Sequence, residues 1–431
     1  MSRRAVDHDV SLGVRGFRRP QPGTQPEYWH RPYASSELRS PRLPLVPIPH
    51  TLTEITGPQF GINAVGAGGS DLTRRCSGEP IGERIVVGGR VLDEDGRPMP
   101  HTLVEIWQAN AAGRYLHQWD QHNAPLDPNF SGQGSMLTDA EGYYRFVSIR
   151  PGSYPWRNHY NAWRPAHIHF SVFGPAFATR LVTQMYFPGD PLLATDPIFN
   201  CTADESARRR LIAQFDYGTT VPETALGYRF DLILRGRDGT PMEAGVHTPP
   251  TTSQTVGPFF QIGFQPLQRV DLMAPDTPDD RVSIEGHVLD AEGNGVPDAC
   301  LEVWQADAHG YYPELGRNEG GENTRGFGRI PTDETGSFRF TTIKPGRVAG
   351  PALTTQAPHL AVSVFMRGLM KRLVTRMYFP DEPSNFEDPV FALVEAARRG
   401  TMVAQNANDA SGRLHWDIIL QGANETVFLD C

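Results

Sequence analysis

Short apolar runs broken by turn residues fill the chain from about residue 81 onward. The clearest run alternates polar and apolar side chains, in the order His167, Ile168, His169, Phe170, Ser171 and Val172. Such a period of two predicts a β-strand whose apolar side chains face a core. Similar runs occupy residues 85–93, 103–107, 143–147, 180–187 and 228–234, and an Asp-Gly pair at 95–96 predicts a hairpin turn. Short strands at this spacing predict a β-sandwich.

The second half of the chain repeats the first. Residues 303–307 match 106–110, residues 343–346 match 149–152, and residues 373–379 match 181–187. The repeat predicts an all-β protein of two tandem homologous sandwiches, which also suits the length of 431 residues. We predict an N-terminal arm (1–43), a first sandwich that holds the candidate site (44–240), a linker (241–252) and a second sandwich (253–431).

Composition and charge narrow the class of protein. The formal net charge of −9 argues against nucleic-acid binding, which calls for a basic surface. No run reaches the roughly 20 apolar residues of a membrane span, and the first residues lack the apolar stretch of a signal peptide, so we expect a cytoplasmic protein. The four cysteines show no Cys-x-x-Cys spacing, so neither a zinc knuckle nor a disulfide framework is indicated.

Two histidines on one strand face suggest a metal site. His167 and His169 leave the same face two residues apart, a common geometry for chelation, although a pair of exposed polar histidines has the same pattern. Tyr154 lies in a short loop after a Pro-Gly turn, and Tyr115 follows a glycine at the end of an earlier β run. Phenolate oxygen suits a hard ion such as Fe(III), whose charge two phenolates and one hydroxide would neutralise.

The repeat provides an internal test of this donor set. Aligned on the matching runs, the candidates Tyr115, Tyr154, His167 and His169 fall on Tyr312, Val348, His359 and Ala361. Valine and alanine cannot coordinate a metal, so the second copy lacks half of the donors. We therefore predict one metal site per chain, in the first sandwich, with the second sandwich as a degenerate partner.

These four residues, with the runs 107–110, 154–157 and 164–169, make the first half resemble the beta subunit of the protocatechuate 3,4-dioxygenase family. The second half, through residues 255–259 and 375–379, resembles the alpha subunit. The resemblance implies two transthyretin-like (prealbumin-like) sandwiches, joined here in the order beta then alpha, which makes their pairing intramolecular. Heterodimers of the family assemble further around a trimeric core, so the joined chain is a candidate homo-oligomer.

The resemblance also implies a reaction and roles for residues. It implies an intradiol dioxygenase that uses non-haem Fe(III) and O2 to cleave protocatechuate (3,4-dihydroxybenzoate) to 3-carboxy-cis,cis-muconate. The iron ligands would be Tyr115, Tyr154, His167 and His169. Tyr154 would leave when the diol binds, and Arg164 would place a cation near the charge that develops on the ring. The residues that the resemblance places around the substrate are Tyr33, Trp156, Gln184, Gly257, Pro258 and Arg376.

Three other functions compete with this interpretation. An intradiol dioxygenase for another catechol is the nearest, but we favour protocatechuate because Tyr33 or Arg376 could meet its carboxylate. A metal-free tandem β-sandwich binding module has no reason to keep all four donors in one copy only. A zinc or copper hydrolase should show a carboxylate or a third histidine beside the histidine pair, and residues 164–172 contain neither.

Overall fold

Short β-strands make up most of the regular structure of the protein. The computed structural model describes residues 15–65, 69–238, 247–273, 280–312, 324–407 and 412–431. Residues 1–14 of the predicted arm and residues 239–246, which include half of the predicted linker, lie outside these ranges. Within the described ranges, none of the helices has the length and apolar character that a membrane crossing needs.

The first half contains two short α-helices within the described ranges, α1 (Leu52–Ile55) and α2 (Glu205–Arg209). Its described strands are β1 (Val46–Pro47), β2 (Arg84–Asp93), β3 (Leu103–Gln108), β4 (Gln133–Leu137), β5 (Tyr143–Ile149), β6 (Tyr154–Pro155), β7 (Trp163–Arg164), β8 (His167–Phe173), β9 (Leu181–Tyr186), β10 (Gln214–Phe215), β11 (Leu226–Arg229) and β12 (Leu232–Leu234). The alternating runs of the sequence thus form strands, and the run that begins at His167 is β8.

The second half opens with helix α3 (Gln261–Phe264) and then follows the same plan. Its described strands are β13 (Arg281–Leu289), β14 (Ala299–Trp304), β15 (Phe327–Pro331), β16 (Ser337–Ile343), β17 (Val348–Ala349), β18 (Thr355–Gln356), β19 (His359–Met366), β20 (Leu373–Tyr378), β21 (Gln405–Asn406), β22 (Leu414–His415), β23 (Ile418–Ile419) and β24 (Leu429–Asp430).

Within the described ranges, each half builds two larger sheets with corresponding strand orders, besides a two-stranded pair, β6-β7 in the first half and β17-β18 in the second. In the first half one sheet has the order β4-β3-β8-β9, and the other has the order β10-β11-β2-β12 with β5 also paired to β2. In the second half the corresponding sheets are β15-β14-β19-β20, and β16-β13-β22-β21 with β23 also paired to β13. Apolar side chains from both sheets, such as Ile168, Phe170 and Phe230, are buried between them. The prediction of an all-β fold with two tandem sandwiches is confirmed.

The two sandwiches pack through the sheets that contain β8 and β19. A buried ion network crosses this interface, in which Arg329 of β15 donates to Glu105 of β3 at 2.7 Å and to Glu302 of β14 at 2.8 Å. Arg180, just before β9, also pairs with Glu302 at 2.8 Å. As a result all seven residues of β8 are buried, including the histidines on the face opposite the core. The alternation predicted one buried face, and the second sandwich covers the other.

Each half also sends its first segment onto the other sandwich. Strand β1 pairs with β24, and Trp304 of the second sandwich donates to Thr56 at 3.1 Å. In the opposite direction, the backbone N–H of Gln254 donates to the carbonyl of Val182 in the first sandwich at 3.0 Å. Helix α1, which the sequence places in the first sandwich, therefore contacts both, because Ile55 also packs against Ala176 and Ala178 of the first sandwich.

Candidate metal centre

The four candidate donors converge on one face of the first sandwich. The pleat of β8 turns His167 and His169 away from the core, with their ring centroids 4.9 Å apart. Tyr154 of β6 has its ring centroid 5.5 Å from that of His167. Tyr115 follows β3 in a loop and lies 5.6 Å from Tyr154 and 6.5 Å from His169 by the same measure. The structure therefore brings together the two phenols and two imidazoles that the sequence singled out.

Hydrogen bonds leave suitable donor atoms in this group. Nδ1 of His167 lies 2.7 Å from the carbonyl oxygen of Pro165, and because a carbonyl only accepts, Nδ1 carries the proton and Nε2 the lone pair. That Nε2 lies 3.3 Å from the Tyr154 hydroxyl. Among the described residues, the buried Tyr115 hydroxyl and Nδ1 of His169 have no hydrogen-bond partner. Such unpartnered buried atoms are costly unless the site has another occupant.

The electrostatics of the site favour neutral imidazoles and protonated phenols as long as no cation is bound. Burial, followed by the positive charge of Arg164, holds the pKa values of His167 and His169 well below the usual range. Burial, followed by the neighbouring Tyr154, raises the pKa of Tyr115 well above its usual value. The Tyr115 phenol therefore needs a strong local positive charge to ionise. A hard, highly charged cation such as Fe(III) fits this donor set.

Arg164 lies beside the donors and is held by a network of its own. Its Nε lies 3.0 Å from Asp196, and a terminal nitrogen donates to Gln184 at 2.7 Å and to the Tyr186 hydroxyl at 3.2 Å. The pKa of Arg164 is raised because the Asp196 carboxylate outweighs the effect of burial. The guanidinium also lies over the ring of Trp156, 5.1 Å from its centroid. A permanently charged group is thus fixed beside the centre.

The predicted pocket residues Tyr33 and Trp156 lie together on this side of the molecule. Their ring centroids are 5.5 Å apart, and the buried Tyr33 hydroxyl accepts a hydrogen bond from the backbone N–H of Gly368 at 3.1 Å. Nε1 of Trp156 is buried without a hydrogen-bond partner among the residues that the structure covers. The N-terminal arm therefore contributes an aromatic side chain that also contacts the second sandwich.

The second half reaches the centre through the segment before α3. Gly257 has φ +72°, and a Cβ built there would lie 3.4 Å from Cε1 of His169, so glycine suits both the backbone and the close approach. Pro258 follows it and is half-buried. Nε2 of Gln184 donates to the carbonyl of Thr255 at 2.7 Å. The predicted contribution of Gly257 and Pro258 is consistent with this placement.

Arg376 is the predicted substrate residue that the structure does not bring to this group. Its guanidinium is buried in the second sandwich and pairs with Glu54 at 2.7 Å, donates to Gln356 at 2.8 Å, and contacts Thr51 at 3.2 Å. Arg376 pairs along the strands with Ala361, which is equivalent to His169. The sequence could not show that a carboxylate from α1 already occupies this arginine.

Sequence reasoning missed two residues beside the centre. Asp196 was not singled out, although its counterpart Asp388 also lies near an arginine, Arg376, and the repeat could have revealed it. Trp107, which the sequence did not assign to the site, stacks its ring on that of His169, with the centroids 4.8 Å apart and an interplanar angle of 4°. This stacking holds the His169 ring, one of the four candidate donors, in a fixed orientation.

Known proteins match both halves of the chain. Residues 55–236 and 256–422 match the family model described as Dioxygenase, and residues 17–51 match the model for the N terminus of the protocatechuate 3,4-dioxygenase beta subunit. The protocatechuate 3,4-dioxygenase beta chain of Burkholderia cepacia is 60% identical over 222 residues, 51% of this chain and 94% of that one. The alpha chain from the same organism is 40% identical over 196 residues, 42% of this chain and 96% of that one.

A solved structure of catechol 1,2-dioxygenase from Acinetobacter sp. ADP1 aligns at 27% identity with a TM-score of 0.30, over 47% of this chain and 69% of that chain. The family model spans most of both sandwiches, and the beta-chain and alpha-chain matches divide the chain between them. The chain therefore belongs to the dioxygenase family, as an intradiol ring-cleavage dioxygenase in which a beta-chain-like half and an alpha-chain-like half are joined.

Proposed function

We propose that this enzyme binds one Fe(III) per chain and cleaves protocatechuate with O2 to 3-carboxy-cis,cis-muconate. The observation that carries the proposal is the convergence of Tyr115, Tyr154, His167 and His169 on one buried face of the first sandwich. The match to protocatechuate 3,4-dioxygenase beta and alpha chains supports the choice of substrate.

The residues around the centre could bind the metal, exchange a proton with the diol and stabilise negative charge on the ring, as ring cleavage requires. Bound iron would act as a Lewis acid and a template for the diol. Tyr154 is only half-buried, whereas Tyr115 is 2% exposed, so Tyr154 would be the phenolate that the diol displaces from the iron, and its oxygen would accept a proton from the diol. Arg164, fixed by Asp196, supplies a charge aimed at the place where negative charge develops on the ring.

The carboxylate of protocatechuate needs a polar partner in the pocket. Arg376 is occupied by Glu54, so of the two residues proposed for this contact Tyr33 remains, next to Trp156. A lost partner of a buried charged group costs about 2–5 kcal/mol, and each 1.4 kcal/mol is about tenfold. We therefore expect kcat/KM for protocatechuate to exceed that for catechol by at least about thirtyfold.

Metal analysis of the purified protein tests the centre directly. We expect about one iron per chain and a visible red-brown colour, because charge transfer from tyrosinate to Fe(III) absorbs visible light. Two irons per chain would contradict the degenerate second site. A colourless but active protein would contradict the tyrosine donors.

Oxygen uptake tests the substrate. The assay compares 3,4-dihydroxybenzoate with catechol at matched iron content, and the product of the first is identified as a muconate by its ultraviolet spectrum. Equal values of kcat/KM for the two diols would show that no group contacts the carboxylate. The enzyme would then be assigned to another catechol, which is the second candidate function.

A further inference from the structure

A second cluster of metal-binding side chains lies away from the iron centre, on the β16-β13-β22-β21 sheet of the second sandwich. It contains His287 of β13, His415 of β22 and Asp417, just before β23. Nδ1 of His287 lies 3.2 Å from Oδ1 of Asp417, and Nε2 of His415 lies 3.1 Å from the same oxygen. One donor atom from each of the three lies within 4.8 Å of the others.

The strand arrangement holds these side chains in place. β22 and β23 both run parallel to β13, and Trp416 and Asp417 lie between them. The Trp416 carbonyl approaches Gly286 so closely that a Cβ there would lie 1.9 Å from its oxygen, so only glycine fits. The backbone N–H of His287 donates to Oδ1 of Asp417 at 2.8 Å and fixes the carboxylate between the two imidazoles.

The donor separations suit a tetrahedral ion. Zinc binds histidine nitrogen and carboxylate oxygen at about 2.0–2.2 Å, which places neighbouring donors of a tetrahedron about 3.3–3.5 Å apart. The two separations from Asp417, 3.1 and 3.2 Å, are close to that value without any rearrangement of the strands. The three side chains are 42%, 40% and 31% exposed, so solvent can reach a fourth position.

The first sandwich contains the same backbone arrangement without the metal-binding side chains. There Asp231 accepts a hydrogen bond from the backbone N–H of Arg90 at 2.9 Å, as Asp417 does from His287. Arg229 holds this carboxylate with two hydrogen bonds, at 3.0 and 2.7 Å. Arginine stays protonated and cannot ligate a metal. The second copy thus has histidine at both positions where the first has arginine, around the same aspartate.

We propose that His287, His415 and Asp417 form a site for a divalent transition metal of the zinc class, open to solvent at a fourth position. Two imidazoles and one carboxylate match the ligands of zinc sites with an open position. The site lies in the alpha-chain-like half, on a different sheet from the one that packs on the first sandwich. It is therefore separate from the candidate iron centre and is not part of the proposed ring-cleavage reaction.

The test is a titration of the full-length, iron-loaded enzyme with zinc chloride, monitored by isothermal titration calorimetry. The metal content of the protein is then measured after dialysis. We expect one zinc per chain in addition to the iron, with unchanged iron content. The melting temperature should rise by about 3 °C when zinc exceeds its dissociation constant by about a hundredfold.

The double variant His287→Arg/His415→Arg is the matched comparison. It reproduces the arginine arrangement that is already stable around Asp231, so we expect it to fold and to lose zinc affinity by roughly 100-fold or more. The variant Asp417→Asn keeps an oxygen for the N–H of His287 and should lose affinity by at least about tenfold. The exposed His309, changed to arginine, should leave zinc binding unchanged.

Two results would overturn the proposal. One is a wild-type enzyme that takes up no zinc beyond that displacing iron. The other is a double variant, folded by circular dichroism, that binds zinc as tightly as the wild type.

Discussion

Equivalent residues of the two sandwiches lie in the same strand register, yet among the described residues only the first sandwich has the two phenols and two imidazoles of the candidate iron centre. Trp107 pairs with His169 in the first sandwich, and Trp304 pairs with Ala361 in the second. Tyr154 pairs with Arg164 in the first, and the equivalent pair in the second is Val348 with Gln356. The alignment made from sequence repeats is therefore confirmed. The same scaffold can carry a metal centre or a structural interface, depending on a few side chains.

Arginine and glutamine have exchanged places between the copies. In the first sandwich Arg164 donates to Gln184, and in the second Arg376 donates to Gln356. Arg164 is equivalent to Gln356, and Gln184 is equivalent to Arg376. The same two positions are therefore hydrogen-bonded in both copies, but the arginine occupies one position in the first copy and the other position in the second. Both arginines are in buried ion pairs, Arg164 with Asp196 and Arg376 with Glu54, but only Arg164 lies beside the four candidate donors among the described residues.

The second copy is also filled by a segment from the first half. Thr53 of α1 places its hydroxyl 2.9 Å from Nε2 of His359 and accepts from the Tyr312 hydroxyl at 3.1 Å. Glu54 pairs with Arg376. The equivalent segment over the first sandwich brings Gly257 instead, which has no side chain to fill the space near His169. The surviving donors of the second copy therefore already have protein partners.

The largest contrast is expected from matched histidine variants. His169→Ala should abolish iron binding and lower kcat/KM by far more than the 10- to 100-fold typical of residues that only support a ligand. His359→Ala should leave iron content and kcat unchanged, because His359 contacts Thr53 rather than a substrate. Iron analysis and oxygen uptake measure both variants. Similar losses in the two would show that both copies bind metal.

Replacement of Arg376 should affect stability rather than catalysis. Arg376→Met leaves Glu54, 1% exposed, without its buried partner, which we expect to lower the free energy of unfolding by about 3–5 kcal/mol. Turnover per folded molecule should stay within about twofold. Urea denaturation and steady-state kinetics separate the two effects. Arg97→Met, at an exposed ion pair, is the control and should change stability by less than about 1 kcal/mol.

If kcat/KM for protocatechuate fell in Arg376→Met while stability did not, Arg376 would be a substrate contact after all. Arg376 as well as Arg164 would then act in the reaction rather than in stability alone.

The buried ion network between the two sandwiches makes the stability of the protein depend on pH. Burial raises the pKa of Glu302, but Arg180 and Arg329 outweigh it and lower the pKa from 4.5 to about 2. Because the pKa of Glu302 is lower in the folded state than in the unfolded state, its ionised carboxylate stabilises the fold above about pH 4.5. This stabilisation is lost as the pH falls toward 2. The contribution is on the order of 3 kcal/mol. Denaturant unfolding at pH 6 and pH 3 should show a larger loss for the wild type than for Glu302→Gln, and parallel losses would refute the assignment.

The variant Arg164→Gln gives the first sandwich the residue of the second at this position. Iron should stay bound, since Arg164 is not a donor, while kcat falls by about 100-fold because one fixed charge near the reacting ring is lost. Stopped-flow kinetics at matched iron content would show it. Loss of iron, or an unchanged kcat, would show that Arg164 acts only on the structure.

Much of the site could be predicted from sequence because its signals are local or repeated. Alternation along residues 167–172 indicated a strand and placed both histidines on one face. The repeat identified Val348 and Ala361 as the substituted positions, and strand pairing confirms the equivalence. Asp196 was missed because it lies in a loop that carries no periodic signal.

Local patterns in the sequence therefore predicted the strands, the tandem repeat and the four candidate iron donors of the first sandwich. The packing of the two sandwiches, which no local pattern predicts, covers the polar face of β8 and pairs Arg376 with Glu54. The physical reason is one of range, because a period of two depends on neighbouring residues, whereas the partner of a buried charge is chosen by chain segments that meet only when both sandwiches have packed.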